Sequence, residues 1–194
     1  MRVIKATAHR VMAWKNGGGT TTEVAISPPG ATTETFDWRV SMAYIQADGA
    51  FSQFPGVDRS LSILAGDGII LAAYGDVDAE LTMSALPHIF PADIPCAARL
   101  HAGPVVDLNV MTRRGVYRSS VTKLRTTTPT KLTPSAETTL IFCYDGPLTV
   151  VSSTRQRHVQ ARDFIMLEAS DNEFIIQSDG ARDMFVIEIS PVRH

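Results

Sequence analysis

The sequence predicts an all-β protein built as two small antiparallel β-barrels of the jelly-roll type. Short stretches of apolar or alternating apolar and polar residues recur along the 194 residues, with Gly, Pro and Asp between them. Helical periodicity is scarce. Many short strands at regular spacing are typical of a sandwich or a barrel, and two sets of strands of similar length favour two barrels. We assign residues 1–118 to the first barrel and residues 119–194 to the second.

In the first half, residues 36–44 (FDWRVSMAY) alternate in polarity, so that Arg39 and Ser41 share one face of a strand. Residues 61–72 (LSILAGDGIILA) predict two strands joined by a tight turn. Residues 78–86 carry the one short helical pattern, which Pro87 would end.

Residues 105–113 (VVDLNVMTR) predict a long alternating strand. The residues on its more polar face are Asp107, Asn109, Met111 and Arg113. Interior positions alternate along each strand of a small barrel. We therefore expect Arg39, Ser41 and this polar face to share one interior.

In the second half, residues 139–152 predict a hairpin with an Asp-Gly-Pro turn, and further strands follow at 164–167, 173–177 and 184–189. Residues 124–135 (LRTTTPTKLTPS) are either a linker or an edge strand, because their two prolines cannot take part in a central strand. The apolar strands of this half indicate a filled, structural interior.

Composition excludes several classes of function. The formal net charge is −2, the pI is about 6.2 and the basic residues are scattered, so the sequence predicts no nucleic-acid binding. Cys96 and Cys143 lie in apolar stretches, which is typical of buried, reduced thiols. The sequence shows no signal-peptide pattern and no membrane-spanning run, so we expect a cytoplasmic protein with no membrane partner.

Five sequence blocks carry a resemblance to a known family. They are residues 14–20 (WKNGGGT) followed by Glu23, 36–43 (FDWRVSMA), 49–59 (GAFSQFPGVDR), 64–68 (LAGDG) and 103–111 (GPVVDLNVM). In this order they resemble the signatures of the HutD/Ves family, and the C-terminal part is a weaker match of the same style. The resemblance implies a bicupin fold of the RmlC-like cupin superfamily. It also implies a regulatory role in histidine utilisation, through binding of a pathway intermediate such as formylglutamate.

Most cupins bind a metal through an H-x-H pair, a following Glu and a later His. This chain has five histidines, no two of them closer than 13 residues: His9, His88, His101, His158 and His194. The segment where such a motif would fall, residues 51–59, has no imidazole. We therefore predict no metal site and no other cofactor.

The glycine triplet Gly17-Gly18-Gly19 lacks the Lys-Ser/Thr ending of a phosphate loop, and a strand-like segment follows it. Glycines permit positive φ and close approach of the backbone. The triplet is therefore either a tight crossing at a barrel mouth or a turn that faces a ligand.

Arg39 and Arg59 stand in apolar surroundings, where a buried guanidinium needs a partner. The partner is either a carboxylate of this chain (Asp37, Asp58 or Asp107) or the carboxylate of a ligand, held bidentately. The candidate ligand-binding residues are Asn16, Arg39, Ser41, Ser52, Phe54, Arg59, Asn109 and Arg113.

Each candidate has an expected role. Asn16 and Asn109 would supply hydrogen bonds, and Arg59, helped by Arg39 or Arg113, would neutralise a small carboxylate metabolite. Ser52 and Phe54 would line the mouth. Trp38 and Phe51 are predicted to be core residues.

No pattern in the sequence requires catalysis. There is no Gly-x-Ser-x-Gly motif, and no histidine motif places a base beside one of the four tyrosines, of which Tyr74 is one. Metal-independent binding of a small anionic metabolite is therefore favoured. The alternatives are a metal-independent cupin enzyme acting on a small acid or sugar, and an interaction module with a closed barrel. Cupin barrels often pair through their edges, which leaves a homodimer open.

Overall fold

The structure is a computed structural model that describes residues 1–73, 78–167 and 173–193. Tyr74 and His194 lie outside the described residues. The chain divides into two compact units, one formed by Arg10–Arg118 and the other by Met1–His9 together with Ser119–His194. The first nine residues therefore differ from the expected barrel of residues 1–118. They join the C-terminal unit because strand β1 (Arg2–Ile4) pairs antiparallel with residues 164–166.

The unit of residues 10–118, here called the first barrel, is built from short strands that end at Gly, Pro and Asp turns. The strands are β2 (Arg10–Ala13), β3 (Gly19–Ser27), β4 (Trp38–Ile45), β5 (Gly49–Ala50), β6 (Val57–Ala65), β7 (Ile69–Ala73), β8 (Ala79–Leu81), β9 (His88–Pro91), β10 (Cys96–Leu100) and β11 (Val105–Arg113). They form a six-stranded sheet in the order β2-β3-β4-β11-β6-β9 and a four-stranded sheet in the order β5-β10-β7-β8.

The first barrel has a strand where a short helix was expected, and an apolar cluster between its two sheets. The helical pattern at residues 78–86 does not form a helix, because Ala79–Leu81 pairs with Ile69–Leu71 as β8. An apolar cluster lies between the two sheets and includes Ile63, Leu71 and Ala98.

The other unit, here called the second barrel, contains β1 and eight further strands. They are β12 (Tyr117–Thr126), β13 (Thr130–Leu132), β14 (Thr138–Cys143), β15 (Leu148–Val151), β16 (Gln156–Val159), β17 (Phe164–Leu167), β18 (Phe174–Gln177) and β19 (Arg182–Pro191). One sheet has the order β1-β17-β14-β19-β12, and the other has the order β13-β18-β15-β16. In the segment of residues 124–135, Thr130–Leu132 is an edge strand, the second of the two expected forms.

The all-β prediction is confirmed, since the described residues contain strands and one short 3-10 turn, Ala6–Ala8. No helix long and apolar enough to cross a membrane occurs among them. Cys96 and Cys143 are buried and free, as expected.

Candidate functional site

The central strands of the six-stranded sheet bring the polar side chains of the first barrel together. In the antiparallel register, Met111 of β11 lies opposite both Arg39 of β4 and Arg59 of β6, and Asn109 lies opposite Ser41. Residues directly opposite one another project from the same face of a sheet. This face borders a cavity of about 490 Å³ in the first barrel.

Seven of the eight candidate ligand-binding residues line this cavity: Asn16, Arg39, Ser41, Ser52, Phe54, Arg59 and Asn109. Arg113 is elsewhere. Its Nε donates to the carbonyl of Phe36 and its Nη2 to the carbonyl of Glu34, both at 3.1 Å. Arg113 is the last residue of β11, and its side chain reaches the loop before β4 and not the cavity.

Arg39 forms an ion pair, but with a partner that differs from the three expected aspartates. Its Nε lies 2.7 Å from Oε2 of Glu23, and both side chains are largely buried. Asp58 instead pairs with Arg114. Glu23 reaches Arg39 because β3 lies beside β4, where the register shifts between Glu23 and Ala25. The charge of Arg39 is thus already neutralised within the protein.

Arg59 has no such neutralising contact. Its residue is 4 % exposed, and among the described residues no carboxylate forms an ion pair with it. One hydrogen bond runs from Nη2 to the carbonyl of Ser52 at 3.3 Å, and Nε has no partner. The guanidinium carbon lies 5.0 Å, 5.4 Å and 5.7 Å from the ring centres of Phe51, Phe54 and Phe90. Burial lowers the pKa of Arg59, but a guanidinium remains charged at neutral pH.

Asp107, on the same strand as Asn109 and Met111, is a further buried ionisable group and is 0 % exposed. Its Oδ1 accepts hydrogen bonds from the Ala43 amide at 3.0 Å and from Asn109 Nδ2 at 2.6 Å. Asp107 Oδ2 and Asn109 Oδ1 are both buried without a hydrogen-bond partner. Burial raises the pKa of Asp107 to about 7, against the opposing influence of Arg59 and the two hydrogen bonds.

The glycine triplet lies at a close approach of two strands and borders the cavity. Gly17 has a φ of +71°, and the Gly18 amide donates to Asn16 Oδ1 at 3.0 Å. A Cβ atom at Gly19 would lie 2.2 Å from the carbonyl oxygen of Tyr44, so this position is a close crossing of two strands. Asn16 and Gly18 line the cavity, so the same turn also faces the space that a ligand would occupy.

Several cavity residues were not among the candidates. Phe51 lines the cavity, although we predicted it to be core, and Trp14 and Lys15 lie beside Asn16 in the glycine turn. The sequence feature that indicates Phe51 as a cavity residue is its position beside the candidate residues Ser52 and Phe54. Nothing in the sequence pattern distinguishes an aromatic ring that covers a guanidinium from one that fills a core.

The histidines do not converge in the part of the chain that the structure describes. His101 Nε2 lies 3.4 Å from Glu80 Oε1, and the ring of His88 packs against that of Phe90. Among the described residues, no group of three or more His, Cys, Asp or Glu side chains is placed to hold a metal ion. The described lining of the cavity contains one carboxylate, Asp48, and no imidazole.

Comparison with known proteins identifies the family and the fold type of this chain. The family model HutD matches residues 6–185. An uncharacterized 21.2 kDa protein in the hutC 3′ region of Pseudomonas putida is 29% identical over 184 residues, which cover 93% of each chain. The structure of HutD from Pseudomonas fluorescens SBW25 is 26% identical, covers 99% of each chain and has a TM-score of 0.82. A cupin 2 conserved barrel domain protein from Leptotrichia buccalis, 10% identical over 92% of each chain with a TM-score of 0.61, shares the fold. The fold is thus of the cupin type, and the chain belongs to the HutD family.

Proposed function

We propose that this protein binds a small anionic metabolite in its first barrel without a metal ion and acts as a regulator of histidine utilisation in the cytoplasm. Formylglutamate, an intermediate of histidine degradation, is the candidate ligand. The observation that carries the proposal is Arg59, a buried cation at a cavity, which no carboxylate among the described residues contacts as an ion pair.

The surroundings of Arg59 suit a carboxylate. A buried, uncompensated charge is costly, and a bound anion would remove that cost. The rings of Phe51, Phe54 and Phe90 surround the guanidinium. They exclude water, which strengthens the attraction to an anion. The planar guanidinium can then hold a carboxylate with two parallel hydrogen bonds.

Neighbouring residues support selection of a small polar ligand. Ser41 and Asn109 lie beside the two arginines on the cavity wall, and Asn16 lies in the glycine turn. Their hydroxyl and amide groups can hydrogen-bond the remaining polar atoms of a metabolite. A cavity of about 490 Å³ falls within the range of about 300–1,000 Å³ that is typical of small-molecule sites, and formylglutamate is a small molecule. The role in histidine utilisation rests on the family and on the hutC-region relative.

Isothermal titration calorimetry on the metal-stripped protein tests the proposal, with formylglutamate, formate, glutamate and urocanate as probes. We expect one of these acids to bind with a stoichiometry of one. We also expect a matching rise in Tm, because a ligand at 100 times its Kd stabilises a protein by about 2.7 kcal/mol.

The matched variants are Arg59→Lys and Arg113→Lys. Both keep the positive charge and lose the bidentate fork, but only Arg59 faces the cavity. We expect Arg59→Lys to weaken binding roughly 10- to 100-fold, the value of one or two charge-assisted hydrogen bonds. Arg113→Lys should bind as the wild type does. Equal losses in the two variants, or no binding by the wild type, would contradict the proposal.

A further inference from the structure

A buried acid lies behind the anion site and has no role in the proposed function so far. Asp107 is fully buried on β11, two residues from Asn109. Asn109 lines the cavity, and its side-chain NH2 donates a hydrogen bond of 2.6 Å to Asp107 Oδ1. Asn109 therefore connects Asp107 to the cavity, and a change in the charge of Asp107 would change the hydrogen bonding of this one residue.

The two groups can pair in two ways. An ionised carboxylate only accepts hydrogen bonds. When Asp107 is ionised, it therefore pairs with the NH2 of Asn109, and the amide oxygen of Asn109 does not take part in the pair. That oxygen, Asn109 Oδ1, is buried without a partner in the structure. A protonated Asp107 can donate from Oδ1 to the oxygen of a rotated Asn109 amide, which frees the NH2. An anion is attracted by the NH2 and repelled by the oxygen.

The charges around Asp107 favour the second arrangement when an anion is bound. Arg59 on β6 is the cation that acts on Asp107, and it is not in direct contact with that carboxylate. Without a ligand, the positive charge of Arg59 favours the ionised form of Asp107. A bound anion would neutralise Arg59, and Asp107 would then gain affinity for a proton.

The other charged residues that line the cavity are Lys15, Arg39 and Asp48. Arg39 on β4 is paired with Glu23 on β3. Burial raises the pKa of the Cys96 thiol on β10, so this thiol stays neutral at physiological pH. The structure gives Asp107 a pKa of about 7, within the range where a change of charge is accessible.

We propose that binding of the anion is coupled to the uptake of one proton from solvent onto Asp107, and that the side-chain amide of Asn109 rotates to present its NH2 to the ligand. No covalent bond to the ligand forms or breaks; the proton moves from the buffer to Asp107 Oδ1. The inference rests on the proposed function of the site and adds to it a dependence of affinity on pH.

The test is calorimetric titration of the wild-type protein with formylglutamate in pairs of amine buffers with different ionisation enthalpies, which are bis-Tris and imidazole at pH 6, and Tris and triethanolamine at pH 8. The difference in observed enthalpy gives the number of protons taken up. We expect an uptake that approaches one proton at pH 8 and is much smaller at pH 6, because Asp107, with a pKa of about 7, is mostly ionised before binding at the higher pH and mostly protonated at the lower. The affinity should fall about tenfold for each pH unit above pH 7.

The variant Asp107→Asn supplies the control, because it is permanently neutral and nearly identical in shape. We expect its affinity to be independent of pH and its proton uptake to be zero. The wild-type proton count does not depend on whether this variant folds. Binding without proton uptake at pH 8 would overturn the coupling and leave the anion site standing. Absence of binding at pH 6, where Asp107 is already protonated, would overturn the anion site as well.

Discussion

The two barrels of this protein share a sandwich of antiparallel sheets, and each has an apolar cluster, but the first also has a cavity with buried polar side chains in its wall. In the first barrel, the wall of the cavity includes the buried polar residues Arg39, Ser41, Arg59 and Asn109. In the second barrel, the space between the sheets holds an apolar cluster from both sheets, which includes Ile141, Leu148, Val150, Ile165, Phe174 and Val186. The two barrels therefore differ in the residue types at inward positions, which are partly polar around the cavity of the first barrel and apolar in the cluster of the second.

The central strands show how this difference arises. Strand β11 presents Asn109 and Met111 on its inward face. Strand β14 presents Ile141 and Cys143 at its inward positions, and the residues on its other face are also buried. The apolar side chains of the second barrel interdigitate and fill the space, whereas charged groups in the first barrel resist close packing because each needs a polar partner.

The largest effect we expect comes from truncating the filled barrel. Phe174→Ala removes a fully buried ring from the apolar cluster of the second barrel. We expect a loss of about 3–5 kcal/mol in the free energy of unfolding, because the surrounding side chains collapse only partly into the void. Urea denaturation measures this loss.

The matched change in the first barrel is Phe51→Ala, at a half-buried ring that borders the cavity. We expect a smaller loss of stability together with weaker anion binding, because this ring covers Arg59. If Phe51→Ala destabilises the protein as much as Phe174→Ala does and leaves binding unchanged, the contrast between a hollow and a filled barrel is wrong.

A second, smaller effect separates the two arginines of the cavity. Arg39→Met leaves the Glu23 carboxylate without its partner, and we expect a loss of about 2–3 kcal/mol in the free energy of unfolding. Arg59→Met removes a cation that has no ion-pair partner among the described residues but that attracts the buried Asp107 carboxylate. We therefore expect a smaller loss of stability than for Arg39→Met, while binding is lost.

The double variant Arg39→Met with Glu23→Gln is the control for this pair, and denaturation midpoints measure all four proteins. The double variant should recover part of the lost stability, since no uncompensated charge remains. Failure to recover would show that Arg39 stabilises the fold by packing and not through its ion pair.

Much of this could be predicted from the sequence. Alternation along β4 and β11 placed Arg39, Ser41 and Asn109 on one face, because side-chain direction in a strand is fixed by a period of two. The family signatures indicated the cupin fold. The ion-pair and hydrogen-bond partners of side chains on different strands could not be predicted. The pairing of Arg39 with Glu23 depends on which strands are neighbours and on a register shift, and the position of Arg113 depends on the path of a loop.

The two barrels also differ in the pKa of a buried aspartate, which is Asp163 in the second barrel and Asp107 in the first. In the second barrel, burial acts to raise the pKa of Asp163. Its hydrogen bonds outweigh burial and hold this pKa below its usual value. Its carboxylate accepts from Lys5 Nζ at 2.8 Å, from the Ala6 amide at 2.8 Å and from the Gln160 amide at 3.3 Å. In the first barrel, burial dominates, and the pKa of Asp107 rises to about 7.

These opposite shifts predict opposite effects of pH on stability. The folded protein holds a proton on Asp107 up to about pH 7, whereas the unfolded chain releases it near pH 4. The contribution of Asp107 therefore decreases by about 1.4 kcal/mol per pH unit between these values as the pH rises. Asp163 has a lowered pKa, so its contribution is present at neutral pH and is lost only as the pH falls below about 4.

The variants Asp107→Asn and Asp163→Asn test this contrast through urea denaturation at pH 3, 5 and 7. Relative to the wild type, Asp107→Asn should gain stability from pH 5 to pH 7, because it removes the carboxylate that must ionise in a buried place. Asp163→Asn should be destabilised at pH 5 and pH 7 by a constant amount, and the deficit should shrink at pH 3 as the wild-type carboxylate takes up a proton. Parallel curves for the two variants would mean that both aspartates are buried in equivalent surroundings, and the electrostatic distinction between the barrels would fail.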